Sequence, residues 1–471
     1  MRSVAVFALV CLALTVTSAR ADFYGLRDAS RLGNLDAVRQ ALDAGDDPNP
    51  PFERDGYSPL QFAAGNGHVE MTRLLLAAGA DTEYRDHNGD RALLWAAQRG
   101  HAETVGLLLA AGSPPDADVD PYGITPLMAA AQYAHTEVVR SLLAAGADPH
   151  RTEQGGDTAL HAAARTDDTE LVRLLLEAGA NPNVFETILM QTPLHEAALR
   201  STPAVVRLLL DAGAGTEARD QDGRTPLFIA AMFGNAGIVD ALIAAHADID
   251  AVDLGGTTPL LAALDDRHAD GAGRAATVAL LAAYTRDLDR GFALALARGF
   301  PVVALGLLER GADINARDGS GRSALANTVH LPGLTYFQLL LNRGADLNAH
   351  GAETMLAAAE AGRVDIAAYL IEHGISVDTK DAAGATPLLI AARAVEVEMV
   401  RLLLAAGAAK VPVDSLGRGV DSYLEQRTGQ LEQLIGTRQA SRAYRPTLDL
   451  ELDLSRLRAG QAEIRKLLAA E

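Results

Sequence analysis

The chain has 471 residues and a formal charge of −20, with 49% hydrophobic residues but only 4% aromatic ones. That length allows several domains, and the core must be mostly Ala, Leu and Val. The acidity and the lack of a basic stripe exclude nucleic acid and anionic membrane surfaces as expected partners.

The opening segment "MRSVAVFALVCLALTVTSARA" combines Arg2, an apolar run from Val4 to Val16, and Ala19-Arg20-Ala21. This is the layout of a cleaved secretory signal spanning residues 1–21. The run is short for a membrane span, and an uncleaved anchor is the alternative. Cys11 is the only cysteine and lies inside the run, behind Val10, where a lipoprotein signal needs a small residue. Cleavage after Ala21 would leave a thiol-free chain of charge −22, with no disulfide, thiolate metal site or cysteine nucleophile. The expectation is an exported protein without membrane insertion after cleavage. An Ala/Arg-rich, Lys-poor composition is compatible with a bacterial periplasm, and secretion is the other destination.

From residue 22 onward the chain repeats itself. Anchor positions fall at Leu26, Leu60, Leu93, Leu127, Leu160, Leu194, Leu227, Leu260, Phe292, Leu325, Met355 and Leu388, spaced 30 to 34 residues apart. Thr-Pro places an N-cap hydroxyl before a proline at the first helical position in Thr125-Pro126, Thr192-Pro193, Thr225-Pro226 and Thr386-Pro387. Small residues such as Ala63-Ala64 let this first helix approach its neighbours, and Gly67, Gly100 and Gly234 end it. A second helix carries the triplets Leu74 to Leu76, Leu107 to Leu109, Leu174 to Leu176 and Leu402 to Leu404. It stops at a glycine in most units, for example Gly79, Gly179 and Gly407. Turns such as Asn88-Gly89 and Asp222-Gly223 then lead onward.

These residues resemble the ankyrin repeat, most closely over Gly56–Glu83 and Gly156–Asn183, and the likeness covers about Asp22 to Ala409. The resemblance implies an all-α repeat solenoid of stacked helix-turn-helix units, twelve to thirteen in number, with projecting β-turn fingers. On that reading residues 22–54 are a capping repeat, 55–409 the array, and 410–471 a degenerate capping repeat with a helical tail. Within the tail, alternation from Thr447 to Leu454 suggests a short strand, followed by an amphipathic helix. The unit near 265–291 is irregular: "DDRHADGAGR" lengthens its helix-helix link, and the finger after Tyr284 is almost lost. His246 and Tyr284 replace the capping glycine, at a cost of about 1 kcal/mol each if the backbone stays left-handed.

The resemblance also implies that His161 and His195, each three residues after a threonine, tie turn to helix and have no catalytic role. His195-Glu196 lacks the second zinc ligand, since Leu199 stands where the motif needs histidine. His268 with Asp265, Asp266 and Asp270 fails calcium-loop spacing and reads as a solvated insertion. Gly271, Gly273 and Ala276 match G-x-G-x-x-A without a preceding strand, so no dinucleotide site is expected. No catalytic, cofactor or metal residues are assigned. An enzyme site in the irregular unit or the tail is the weaker alternative.

Binding is expected of a monomer with a protein partner, on the concave face and finger tips that the resemblance implies. Phe62, Trp95, Gln98, Arg99, Tyr133, Arg165, Glu196, Arg200, Ile229, Met232 and Phe233 occupy first-helix positions that the repeat leaves free. The finger candidates are Tyr84, Arg85, His87, Tyr122, Phe185, Met190 and Arg219. Trp95 and Tyr133 read as exposed binding residues; Phe62 and Ile229 fit binding or packing equally. A second destination for the same contacts is a foreign cell, with the chain acting as a secreted effector.

Overall fold

The computed structural model describes residues 25–49, 56–116, 122–265, 271–426 and 448–470. The leader at 1–21 and the residues Asp266, His268 and Asp270 lie outside them. Each beat of the sequence becomes a pair of helices. Short first helices, such as Pro59–Gly65, Ala92–Gln98, Pro126–Gln132, Ala159–Ala164, Pro193–Arg200 and Pro226–Met232, alternate with nine-residue second helices such as Val69–Ala77 and Thr169–Glu177. None is long enough to be stable alone in water. Packing on the neighbouring repeats supplies the stability, and all twelve anchor residues are buried.

The leucine triplets are not buried as a block. The middle residue is fully buried in Leu75, Leu108, Leu175 and Leu403, while its neighbours on either side are half-buried. Successive helical residues point about 100° apart, so one of three can face the centre of the stack while the others fill its flanks. Asparagine in the segment after the second helix staples adjacent repeats. Asn183 Nδ2 donates to the Gly213 carbonyl (2.9 Å), and its Oδ1 accepts from the Gly215 N–H (2.8 Å).

The chain divides into two compact units, 1–259 and 260–471. The first is regular. His246 holds φ +62°, so it keeps the left-handed cap that glycine fills elsewhere. In the second unit, the helix Gly271–Tyr284 runs 14 residues, and the next helix, Leu288–Ala297, follows with no finger between. Tyr284 is the last residue of its helix and is not left-handed, contrary to the strain considered for it. The reason is local: the Arg310 guanidinium donates to the Ala282 and Thr285 carbonyls, satisfying acceptors that a left-handed cap would otherwise serve. A further finger disappears where the spacing falls to 30, and Leu347–Glu360 forms one continuous helix with Asp346 as its N-cap.

The tail departs from expectation. A single helix, Leu448–Ala469, takes in the alternating segment, so the short strand is not formed. An isolated strand has no partner for its ladder, whereas Leu, Glu and Arg in the run "LDLELDLSRLRAG" favour a helix that satisfies its own backbone. Ile464 on this helix is fully buried. Gln461 donates to the Leu424 carbonyl, and Arg465 pairs with Asp421 at 2.9 Å. The helix thereby closes the end of the degenerate repeat, whose residues 420–426 are helical.

Candidate functional site

The threonine-proline positions behave as caps. The Thr125 hydroxyl accepts from the Met128 N–H (3.2 Å) and that of Thr225 from the Phe228 N–H (3.3 Å), with Pro126 and Pro226 opening the helices. Pro193 opens the next helix, where the His195 N–H donates to the Thr192 carbonyl (2.9 Å) and the Thr192 hydroxyl lies 2.9 Å from His195 Nδ1. Both repeat histidines are fully buried. Nδ1 of His195 accepts from the Thr192 N–H (3.2 Å), which leaves Nε2 to donate to the Arg224 carbonyl of the next repeat (3.1 Å). His161 repeats the arrangement with Thr158 and the Gln191 carbonyl. Burial pushes both imidazoles below their ordinary range, as suits a neutral ring with one acceptor and one donor nitrogen. His101 and His135 cap second helices and reach back to the carbonyls of Gly65 and Gln98 (3.1 Å each). A Cβ on Gly67 would lie 2.6 Å from Nδ1 of His101, so ring and glycine fit only together.

These contacts are architectural, and several candidate binding residues join them. Trp95 is half-buried: its ring meets Tyr57 edge-on (5.0 Å, 65°), and a Cβ on Gly65 would lie 2.7 Å from its Cε3. The expected exposure of Trp95 is therefore corrected. The first helices of adjacent repeats are close enough at their small residues for an indole to bridge them. Phe62 is half-buried against the same Tyr57 (5.5 Å), with the Arg27 guanidinium over its ring. Arg99 lies over Trp95 and donates to the Gly65 carbonyl (3.0 Å) and Asn66 Oδ1 (3.2 Å). Ile229 is buried, and Met232 and Phe233 are half-buried. Gln98 and Arg200 are exposed, and Tyr133 is 50% exposed, with its ring stacked near His135. Arg165 bridges Asp157 (2.7 Å) and the buried Glu196 (2.9 Å). Burial opposes its charge, but the hydrogen bonds and fields of these carboxylates outweigh that and hold the guanidinium above its usual range.

The fingers form a linked row in the first unit. Backbone N–H groups of Gln154, Thr187, Gln221 and Leu254 donate to carbonyls of Tyr122, Gly155, Leu189 and Asp222 on the preceding finger, at 2.7 to 2.9 Å. Tyr84 is half-buried; Arg85 and His87 are exposed, with His87 covering Gly56. Arg219 donates to the Gly223 carbonyl of its own finger and to the Val252 carbonyl of the next (2.7 Å each). The finger "FETILMQT" differs from the rest. Phe185, Ile188, Leu189 and Met190 are all exposed, Ile188 at 71%. The buried Glu186 carboxylate gathers the N–H groups of Ile188, Leu189 and Gln191, so the loop has one defined shape. Met190 takes φ +57°, where Gly89, Gly156 and Gly223 stand in other fingers. Sequence reading found Phe185 and Met190 but missed Ile188 and Leu189, as well as Leu254, exposed at 81% on a later finger. The signal was there: "ILM" stands where other fingers have Asp or Asn followed by Gly.

Among the described residues no group of His, Cys, Asp and Glu is placed to hold a metal ion, and no helix is long and apolar enough to cross a membrane. The family model described as Ankyrin repeats (3 copies) matches residues 26–119, 113–186, 194–291 and 324–414. A second, Ankyrin repeats (many copies), matches 163–210. Potassium channel AKT2/3 of Arabidopsis thaliana is 32% identical over 123 residues, which is 26% of this chain and 15% of the channel. Ankyrin repeat domain-containing protein 46 of Rattus norvegicus is 36% identical over 120 residues, 25% of this chain and 52% of that protein. The matched stretches thus span at most about half of these relatives. Among solved structures, the ankyrin repeat domain of Bcl-3 aligns with 28% identity and a TM-score of 0.40, covering 44% of this chain and 95% of that one.

Proposed function

The chain belongs to the ankyrin-repeat family, whose repeats mediate protein–protein interaction, and on that premise we propose that it is an exported, non-enzymatic scaffold. It binds a partner protein through its first helices and finger tips and resides in the periplasm. The observation that carries the binding surface is the finger at 185–190. Four apolar side chains stand in solvent on a loop held by a buried carboxylate. Soluble proteins seldom display such a cluster unless another surface covers it. Ankyrin-repeat folds are typically binding modules without catalysis, which supports the non-enzymatic reading. Export is supported by the sequence of residues 1–21 alone.

Two measurements test this. Expression with intact residues 1–21 should release from the periplasm a product beginning at Asp22; a full-length product retained in the cytoplasm would overturn export. A photo-crosslinking residue at position 188 should capture one dominant protein, and the same probe at exposed Arg401, on a second helix, should not. Equal labelling from both positions would overturn the finger surface.

A further inference from the structure

The last helix carries a pattern that runs through the array. Gly460-Gln461-Ala462-Glu463-Ile464 followed by Leu467-Leu468 matches Gly67-His68-Val69-Glu70-Met71 followed by Leu74-Leu75, position for position. Its placement matches too. It lies against the helix Val397–Ala405, as the regular second helices Val69–Ala77 and Ala102–Ala110 lie against each other. Arg401 pairs with Glu463 (3.5 Å), in the way that Arg140 of one second helix pairs with Glu170 of the next (3.2 Å). Ile464 is buried, like Met71. One contact is inverted. In regular repeats the turn between the helices carries glycine, and a side chain of the next repeat fills the space beside it: a Cβ on Gly100 would lie 2.6 Å from Nδ1 of His135. Here Val395 stands on the turn, at φ +61°, and the glycine is on the incoming helix: a Cβ on Gly460 would lie 2.5 Å from Cγ1 of Val395.

We propose that residues 460–469 form the second helix of a thirteenth repeat and act as a releasable clasp over a helix seat at the C-terminal end of the array. Residues 427–459 separate this helix from the first helix of its repeat at 420–426, where Arg99 to His101 suffice between regular helices. A longer connection costs more entropy to close. Among residues 455–470 only Gln461 and Ile464 are buried, whereas Val69–Ala77 buries Met71, Thr72 and Leu75. Leu468, the counterpart of Leu75, is half-buried beside a groove of about 520 Å³ that Val411, Pro412 and Val420 also line. Such a gap forfeits the close packing of an interior. The remaining ties are polar: Gln461 donates to the Leu424 carbonyl, Lys410 Nζ to the Ala470 carbonyl (2.5 Å), and Arg465 pairs with Asp421 (2.9 Å). Exposed ion pairs add little. In an array held by neighbour contacts, a terminal helix so fastened leaves without unfolding the repeats before it. The open seat then takes an amphipathic helix of the same pattern from a partner protein: glycine over Val395, glutamate three residues on against Arg401, and an aliphatic residue next to that glutamate. This seat is separate from the apolar finger and does not rest on it.

Amide exchange in the full chain should run about tenfold or more faster at residues 461–469 than at 397–405. Gly460→Val should speed exchange at 461–469 by about tenfold again and leave 355–394 unchanged. Adding Val395→Gly should restore protection, because the large and the small residue have changed places. Equal protection of the two helices, or a double variant no better than Gly460→Val, would overturn the clasp. A fluorescein-labelled peptide of residues 455–470 should bind saturably to the full chain carrying Ile464→Asp, whose own helix is released. It should bind the unaltered chain about tenfold or more weakly, and the peptide carrying Gly460→Val should not bind. No binding to the released chain, or equal binding of both peptides, would overturn the seat.

Discussion

Replacing Trp95 by alanine should destabilise the N-terminal repeats by about 3 kcal/mol. Complete burial of a tryptophan would put the cost at about 3–5 kcal/mol, and the half-buried ring here justifies about half of that. The edge-on contact with Tyr57 adds about 1 kcal/mol. The Arg99 guanidinium 5.3 Å from the ring contributes about 0.5 kcal/mol at this partly exposed position. Trp95 is the only tryptophan, so fluorescence cannot follow the variant, and circular dichroism in urea must. Repeat arrays unfold in part before they unfold in full, so the loss should concentrate locally. Amide exchange should quicken between residues 57 and 110 and stay unchanged in the repeats beyond Leu194. A change below about 0.5 kcal/mol, together with lost partner binding, would refute this packing account and return Trp95 to the binding surface.

Acid should weaken the fold through His161 and His195. Their folded values lie below the ordinary value of 6.5, so below that pH the unfolded chain takes up protons that the buried rings refuse. This contribution is complete above about pH 6.5 and declines as pH falls towards the folded values; the urea midpoint should be lower at pH 5.5 than at 7.5, with a smaller difference in His161→Asn/His195→Asn. His246→Gly should raise stability by about 1 kcal/mol by relieving the left-handed backbone, while Tyr284→Gly, inside a helix, should lower it by a similar amount; thermal melts showing the same sign for both would contradict the assignment. Met190→Gly should stabilise by roughly 0.5–1 kcal/mol for the same reason and weaken capture from position 188. Unchanged melting would mean that the fingertip carries no strain.

The repeat was legible because its signals are local and redundant. Thr225-Pro226 marks a helix start, and Gly79 marks an end, whatever lies around them. Period then placed every anchor in the core without reference to contacts. Trp95 was not legible in the same way, since its burial depends on Tyr57 and Gly65 in the preceding repeat, a relation that no spacing rule prescribes. Arg165 read as a binding candidate because both of its carboxylates stand far off in pattern terms, on its own finger and on the next first helix. The tail misled for another reason: alternating Leu and acidic residues fit a strand face, but no neighbouring strand was available to complete it, and a helix satisfies the backbone alone.

The residues that break the repeat's rules separate by place. Ala134, His246 and Val395 are left-handed without being glycine, and each stands just past a helix, where the chain turns beside packed neighbours. Met190 is left-handed at a fingertip, and Phe185, Ile188 and Leu189 beside it remain exposed. In an array where each repeat contacts only its neighbours, a fingertip cost is not offset by core packing elsewhere. The strained backbone, the exposed aliphatic cluster and the buried Glu186 that holds them coincide in one loop. A pair of bonds from Thr187 to the Gly155 carbonyl fixes this finger to the preceding one. The regular finger around Asp220 has no such apolar cluster, although its carboxylate likewise accepts from the Asp222 and Arg224 N–H groups. Recognition is thus expected to concentrate on this finger rather than spread evenly along the array. Substitutions at Phe185 and Ile188 should then couple in a double-mutant cycle of partner binding, whereas Ile188 and Tyr84 should act additively.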